Sequence, residues 1–250
     1  MKSHIIPFIS FLALAPTAYA SNIEDTWEGP VKLDLNAYVF AADLQGTLSK
    51  GDTDYTVDQP FSESAKNLDR FYMFELDLNK GRWGTYLDME VVKISENKDV
   101  LNYPVAVTTD LNQGKFGVYY QAYISEKNEK NNLPRFIVEP TIGMHRTEVE
   151  ADLSAFGKKI SVSENWNEFF WGSRFKYNFD SPWNLSGEAI FGAEDTISTQ
   201  AHLGYRKDIF KRPINFKVGY HYFKQNHRID DFKLDIKEHG PVIGINIPIF

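Results

Sequence analysis

The chain has no cysteine in its 250 residues. That excludes a disulfide scaffold, a thiolate metal site, a cysteine nucleophile and a lipid-modified N-terminal cysteine. Beyond residue 20 it also lacks any uncharged apolar run near the length of about 18 residues that a membrane-crossing helix needs. Bases are outnumbered, 27 Lys+Arg against 34 Asp+Glu for a net charge of −7, and they are scattered along the chain. Nucleic acid is therefore not expected as a partner. Neither G-x-S-x-G nor HExxH occurs. The remaining totals, 42% hydrophobic and 24% charged, are those of a folded chain and exclude a disordered one. A mean hydropathy of −0.39 excludes a polytopic helical membrane protein. It leaves a membrane β-barrel open, because barrel strands alternate apolar and polar residues.

What the sequence does have is aromatic: 19 Phe, 13 Tyr and 5 Trp, 15% of the chain. It also has a leader. Lys2 is followed by an apolar stretch from Ile5 to Pro16 and by Ala18-Tyr19-Ala20, an A-x-A cleavage site. Residues 1–20 read as a secretory signal peptide, removed to leave one domain over 21–250. Its loss takes one base and no acid, leaving 26 Lys+Arg against 34 Asp+Glu, net −8 over 230 residues.

Period-two alternation dominates the rest. It predicts strands over 31–41, 70–78, 83–95, 115–125, 135–147, 166–177, 183–191, 199–206 and 214–223, with a last one ending at Phe250. Long polar loops are expected over 43–69, 96–112 and 148–165, with Asn79-Lys80-Gly81-Arg82 as a tight turn. The final strand changes parity. Phe232, Leu234 and Ile236 share one phase, and Ile243, Ile245, Ile247 and Ile249 the other, which predicts a bulge near Gly240-Pro241. Ten strands with no convincing helix, many of them 9–12 residues long, give an all-β antiparallel up-and-down transmembrane β-barrel. Eight strands is the alternative count, and a soluble lipocalin-like barrel or sandwich is the competing class.

The two faces differ. One is apolar and free of charge, with aromatics towards strand ends: Tyr72, Trp83, Trp171, Tyr177, Trp183, Tyr205, Tyr220 and Tyr222. These are expected to form girdles at the two membrane interfaces. The other face carries charge of both signs, including Asp34, Glu139, Glu168, Glu188, Lys115 and Arg206. Its densest part is expected to be a lumen charge cluster of Glu75, Asp77, Asp88 and Glu90 with Arg174, Lys176 and Lys217. Such a cluster reads as a salt-bridge network, or else as the lining of a cation-preferring passage. For chemistry the candidates are few. His145 is placed near the outer rim beside Arg146-Thr147-Glu148. His221, His227 and His239 lie towards the C-terminal hairpin with Asp230 and Asp231, at spacings that match no common metal-ligand pattern. No catalytic residue, metal or cofactor is assigned. A Ser or Asp within hydrogen-bond reach of His145 or His221 at the rim would instead favour a hydrolase or acyltransferase acting on lipid.

Six segments together resemble a broad group of bacterial outer-membrane β-barrel proteins of about this size. They are Phe61-Ser62 through Phe71, Lys80-Gly-Arg-Trp-Gly84 with Leu87-Asp88, Trp171-Gly172, Gly204-Tyr205-Arg206, Gly219-Tyr220-His221-Tyr222 and His239-Gly-Pro-Val-Ile-Gly244. The sequence departs from the group's pattern in ending Ile247-Pro-Ile-Phe250. The resemblance implies the barrel and its place in a Gram-negative outer membrane; a monomer is the expected state. The partners expected of such a barrel are outer-membrane lipid and lipopolysaccharide, with the barrel-assembly machinery during insertion. It supplies no activity. A non-enzymatic envelope role follows as the expectation: structural, surface-interacting, or passing small solutes through a narrow lumen.

Overall fold

The computed structural model describes residues 30–51, 53–100, 103–155, 158–193 and 195–250. The signal peptide lies outside the described residues. The elements are β1 (Lys32–Phe40), β2 (Asp43–Lys50), β3 (Thr53–Gln59), the one-turn α1 (Phe61–Ser64), β4 (Leu68–Lys80), β5 (Trp83–Val100), β6 (Tyr103–Tyr120) and β7 (Tyr123–Ile124). They continue with β8 (Phe136–Ala155), β9 (Lys158–Asn178), β10 (Trp183–Gly192), β11 (Ile197–Ile209), β12 (Arg212–Ile229) and β13 (Phe232–Pro248).

Ten strands form a closed ring in the order β1-β4-β5-β6-β8-β9-β10-β11-β12-β13, and β13 returns to β1 with Asp34 opposite Pro248 and Phe40 opposite Val242. Every pairing is antiparallel. Closure removes the exposed edges that an open sheet would present within hydrocarbon. The last residues take part: Leu33 N–H donates to the Phe250 carbonyl and Ile249 N–H to the Leu33 carbonyl. At the end of the barrel that holds these pairings, Gly81 (φ 60°) lies in the tight turn between β4 and β5, a left-handed position that favours glycine.

Several strands are far longer than a membrane requires. β9 has 21 residues, β8 has 20, and β5, β6 and β12 have 18 each. About 9–11 tilted residues cross a bilayer. Around the half of the barrel nearer Lys32 and Phe250, outward side chains such as Phe116, Ile142, Trp171, Leu203 and Val218 are exposed. A continuous belt of this kind is far larger than the few hundred Å² of apolar patch that monomers leave against water, and hydrocarbon is the medium it suits. The molecule is an antiparallel up-and-down transmembrane β-barrel.

Beyond the belt the faces exchange roles. On β8 the outward residues change from Ile142 and Met144 to Arg146, Glu148 and Glu150, while Val149 turns inward. On β9, Phe169 and Trp171 face out, but further along it is Asn167, Asn165, Ser163 and Ser161 that do, with Trp166 buried. Here β6, β8 and β9 supply one side of a core and β12, β13 and β2 the other. Leu44, Leu48, Leu111, Val149, Val162, Trp166, Phe223, Phe232, Leu234 and Ile236 pack between them. β2 extends the wall by pairing with the outer half of β13, Leu48 opposite Leu234.

This outer half corrects two sequence-based expectations. The segments 43–69, 96–112 and 148–165 are largely strand, not loop: β2 and β3, the ends of β5 and β6, and the ends of β8 and β9. They look like loops because their outward residues are polar, although alternation persists. The bulge near Gly240-Pro241 is absent. β12 and β13 keep one register from Asn215 opposite Asn246 to Ile229 opposite Phe232. The parity change marks the level at which the apolar face turns from outside to inside.

Candidate functional site

The lumen is layered. At the end holding Lys32 and Phe250 it opens into a cavity of about 430 Å³, lined among others by Asp34, Asn36, Lys176, His202, Arg206 and Lys217. These side chains come from β1, β9, β11 and β12, and alternation turns them inward opposite lipid-facing neighbours such as Leu35, Phe175, Leu203 and Val218.

Above it sits Arg174, among three carboxylates and two phenol rings. Its guanidinium donates to Asp77 at 2.6 Å and lies 3.7 Å from Glu139 and 3.8 Å from Glu75. Its flat face stacks over two phenol rings, 4.6 Å from the centroid of Tyr86 and 4.8 Å from that of Tyr119. Each ring occupies the space left by a glycine directly across the β5–β6 pair, Tyr86 over Gly117 and Tyr119 over Gly84. A Cβ at Gly84 would come within 2.1 Å of the Tyr119 ring. A planar cation that stacks and forks its hydrogen bonds suits this seat, and lysine would not reproduce it. Lys176 lies 3.6 Å from Glu139, and Lys217 donates to Asn36 (2.8 Å), which in turn donates to Glu75 (2.9 Å).

One level further, Lys115 donates to Glu188 at 2.7 Å and lies 3.3 Å from Asp88. The Tyr38 hydroxyl bridges Asp88 (2.7 Å) and Glu90 (2.8 Å). All seven residues expected in the lumen cluster thus face inward. Arg174 pairs with Glu75 and Asp77, Lys176 with Glu139 and Asp88 with Lys115, while Glu90 is held by Tyr38 and Lys217 by Asn36. The expected cluster omitted Lys115, Glu139 and Glu188, which complete it. The signal for them was present, since each shares the inward parity of its strand.

His145 departs from its expected place, whereas His221, His227 and His239 do lie on the C-terminal β12–β13 hairpin. His145 is buried mid-strand, not at the rim, and its Nδ1 is 3.2 Å from Glu168, whose carboxylate also accepts from Gln225 (2.9 Å) and Thr196 (3.0 Å). His221 and His227 point inward at different levels, His221 against the Phe40 ring and His227 stacked on Trp166 at 4.1 Å. His239 points outward and stacks on Tyr220, so the three do not converge. Ser198 Oγ lies 2.9 Å from His221 Nε2. Both are buried, and the cavity they share with His145 and Glu168 holds only about 20 Å³. That is room for about one water molecule. Among the described residues no group of three His, Asp or Glu is placed to hold a metal ion.

The aromatics fall into two tiers. Trp83, Tyr177, Trp183 and Tyr205 lie beside the turns at the terminal end, with Trp183 directly opposite Tyr205. Tyr72, Trp171, Tyr220 and Tyr222 lie at the other border of the belt, where outward residues turn polar.

No family model matches the chain, and no curated protein matches it. Solved structures similar to it are bacterial outer-membrane β-barrels. Ail, the attachment invasion locus protein of Yersinia pestis, is 12% identical with a TM-score of 0.39, over 88% of this chain and 99% of that one. Neisserial surface protein A is 9% identical with a TM-score of 0.30, over 87% and 96%. CdiB from Acinetobacter baumannii is 11% identical with a TM-score of 0.42, over 80% of this chain and 40% of that one.

Proposed function

We propose that the protein is a non-enzymatic outer-membrane barrel that holds a β-structured platform outside the membrane, with a surface-interaction role. One observation carries this reading: the outer half has a water-facing polar exterior and an apolar core, so it is built to stand in water above the lipid belt. The same core closes the lumen, and the charged layers beneath it are cross-linked by ion pairs. A narrow passage for solutes is therefore disfavoured against a plug, and the acids serve to seat Arg174 and Lys115.

The absence of cysteine makes the test clean. Ser163→Cys, on the outer half, is expected to react with a membrane-impermeant maleimide in intact cells, and Ser181→Cys, in the turn before β10, only after lysis. Reversed labelling would overturn the orientation, and labelling of neither in the membrane fraction would overturn the placement. In planar bilayers the purified barrel is expected to give no porin-sized conductance steps; regular open-channel steps would defeat the plugged-lumen reading.

The Ser198–His221 contact is the observation that favours a second reading, a lipid hydrolase or acyltransferase. Against it, the pair is buried inside the wall and faces a space too small for an acyl chain. Lipid turnover by the purified protein that is lost in Ser198→Ala would establish it.

A further inference from the structure

On most of the outer half, exposed bases have acids beside them. Arg70 and Lys93 lie 3.2 and 3.7 Å from Asp110, Arg146 lies 3.8 Å from Glu148, and Lys159 lies 3.1 Å from Asp152. The outward face of β12 and β13 is different. Lys224 stands directly across from Lys237, and Arg228 directly across from Lys233. Directly opposed side chains have Cβ atoms about 5 Å apart, where like charges destabilise a sheet. Within the paired residues of these two strands the acid on that face, Asp235, stands opposite Asn226 between the two pairs; Asp230 and Asp231 form the turn, and Asp58 lies one strand beyond Gln45, the partner of Lys237. Among the described residues no carboxylate comes within ion-pair distance of any of the four bases. In the sequence the four look scattered; the hairpin register stacks them into one patch.

The patch has a fixed height. Lys237 Nζ lies 5.7 Å from the Tyr222 ring centroid, and Tyr220 one step lower stacks on His239. These tyrosines belong to the upper aromatic tier, so Lys224 and Lys237 sit where the lipid belt ends and headgroups begin. Arg228 and Lys233 are four residues further along, about 10 Å higher for a tilted strand.

We propose that this face of β12–β13 is a binding site for a phosphorylated saccharide headgroup of an outer-leaflet lipid. Its acyl chains lie along Val218, Tyr220 and Ile243, and its phosphates bridge the opposed bases. The anion supplies the countercharge that neither strand places opposite these bases. The inference rests on the outer-membrane reading, but its test in detergent does not depend on where the protein sits in a cell.

The experiment titrates diphosphoryl hexa-acyl lipid A, and separately an uncharged glycolipid, into the purified barrel in non-ionic detergent, with bound lipid counted by native mass spectrometry. The wild type is expected to prefer the diphosphoryl lipid, and the preference to fall with added salt. Lys224→Gln/Lys237→Gln is expected to weaken it about thirtyfold, at two headgroup charges lost. Lys224→Arg/Lys237→Arg should retain it, as should Lys159→Gln on β9. Without lipid, Lys237→Gln alone should unfold at a higher temperature than the wild type, because it relieves the opposed pair. Equal binding by wild type and Gln variant, or equal binding of charged and uncharged lipid, overturns the proposal. So does a soluble sulfated glycan that binds the patch while lipid A does not, which would make the ligand an extracellular polyanion. Should Lys224→Gln/Lys237→Gln fail to show heat-modifiable folding, Arg228→Gln/Lys233→Gln serves for the same comparison.

Discussion

Residues 169–177 and 159–167 of β9 belong to one strand, and apart from Phe170, which is buried inward in the first, they point their apolar side chains in opposite directions. In the first, Phe169, Trp171, Phe175 and Tyr177 face out while Arg174 and Lys176 face the lumen. In the second, Asn167, Asn165, Ser163 and Ser161 face out while Trp166 faces in. The backbone geometry and the pairing with β8 are the same in both. What differs is the surrounding medium. Alternation reports that a segment is a strand; the side on which the apolar residues fall reports whether lipid or water lies outside. A sheet that crosses that border without a bulge must invert its pattern there, as β8, β9, β12 and β13 all do.

The largest test of this contrast is a charge placed inward in each half. Phe232 is fully buried in the outer core, so Phe232→Lys loses the ring's packing and buries an unpaired cation, at a cost of about 5 kcal/mol or more. Gln200 is also inward but lies in the charged half, 3.4 Å from Glu188. Gln200→Lys is expected to cost under about 1 kcal/mol, because a carboxylate is at hand. Urea midpoints of the barrel refolded into vesicles measure both. Equal losses would mean that the two interiors do not differ in the way their side chains indicate.

Next in size is Arg174. Replacing it by Met leaves Asp77 buried without its cation and Glu139 with Lys176 alone, a loss of about 3–5 kcal/mol. Adding Asp77→Asn should recover part of it, since one orphaned charge is then removed. A double variant no more stable than the single one would show that the pair with Asp77 at 2.6 Å is not where the energy lies.

These particular residues also show what was legible in advance. Period two placed Arg174, Asp77 and Asp88 on the inward face, and it placed Trp171, Val218 and Tyr220 on the lipid face. Antiparallel order and the ten-strand count follow from the same pattern. The outer half was not legible as strand. At Glu148, Glu150, Ser161 and Ser163 the outward residues are those of a loop, and the inward apolar residues are too widely spaced to announce a core unless the opposing sheet is known. The opposed bases on β12 and β13 were hidden for a related reason: Lys224 and Lys237 are 13 positions apart, and only the hairpin register makes them neighbours. The Ser198–His221 contact needed the same knowledge, because it joins two strands whose stagger the sequence does not state.

The smallest effects test the outside of the two halves, where one substitution can be made twice. Val218 is outward and exposed in the belt, and Ser163 is outward and exposed on the outer half. An arginine on a lipid face near mid-bilayer costs about 2–4 kcal/mol, because the guanidinium must either lose its water or thin the bilayer to keep it. An arginine on a water-facing strand with polar neighbours on either side changes stability by no more than about 0.5 kcal/mol. Val218→Arg should therefore lower the urea midpoint in vesicles clearly, and Ser163→Arg hardly at all. In detergent micelles, which deform around a charge more readily, the Val218→Arg penalty should shrink while the Ser163→Arg result stays put. If both substitutions were tolerated alike in vesicles, the belt at Val218 would not be facing hydrocarbon, and the border read from the inverted pattern would have to lie elsewhere on the strand.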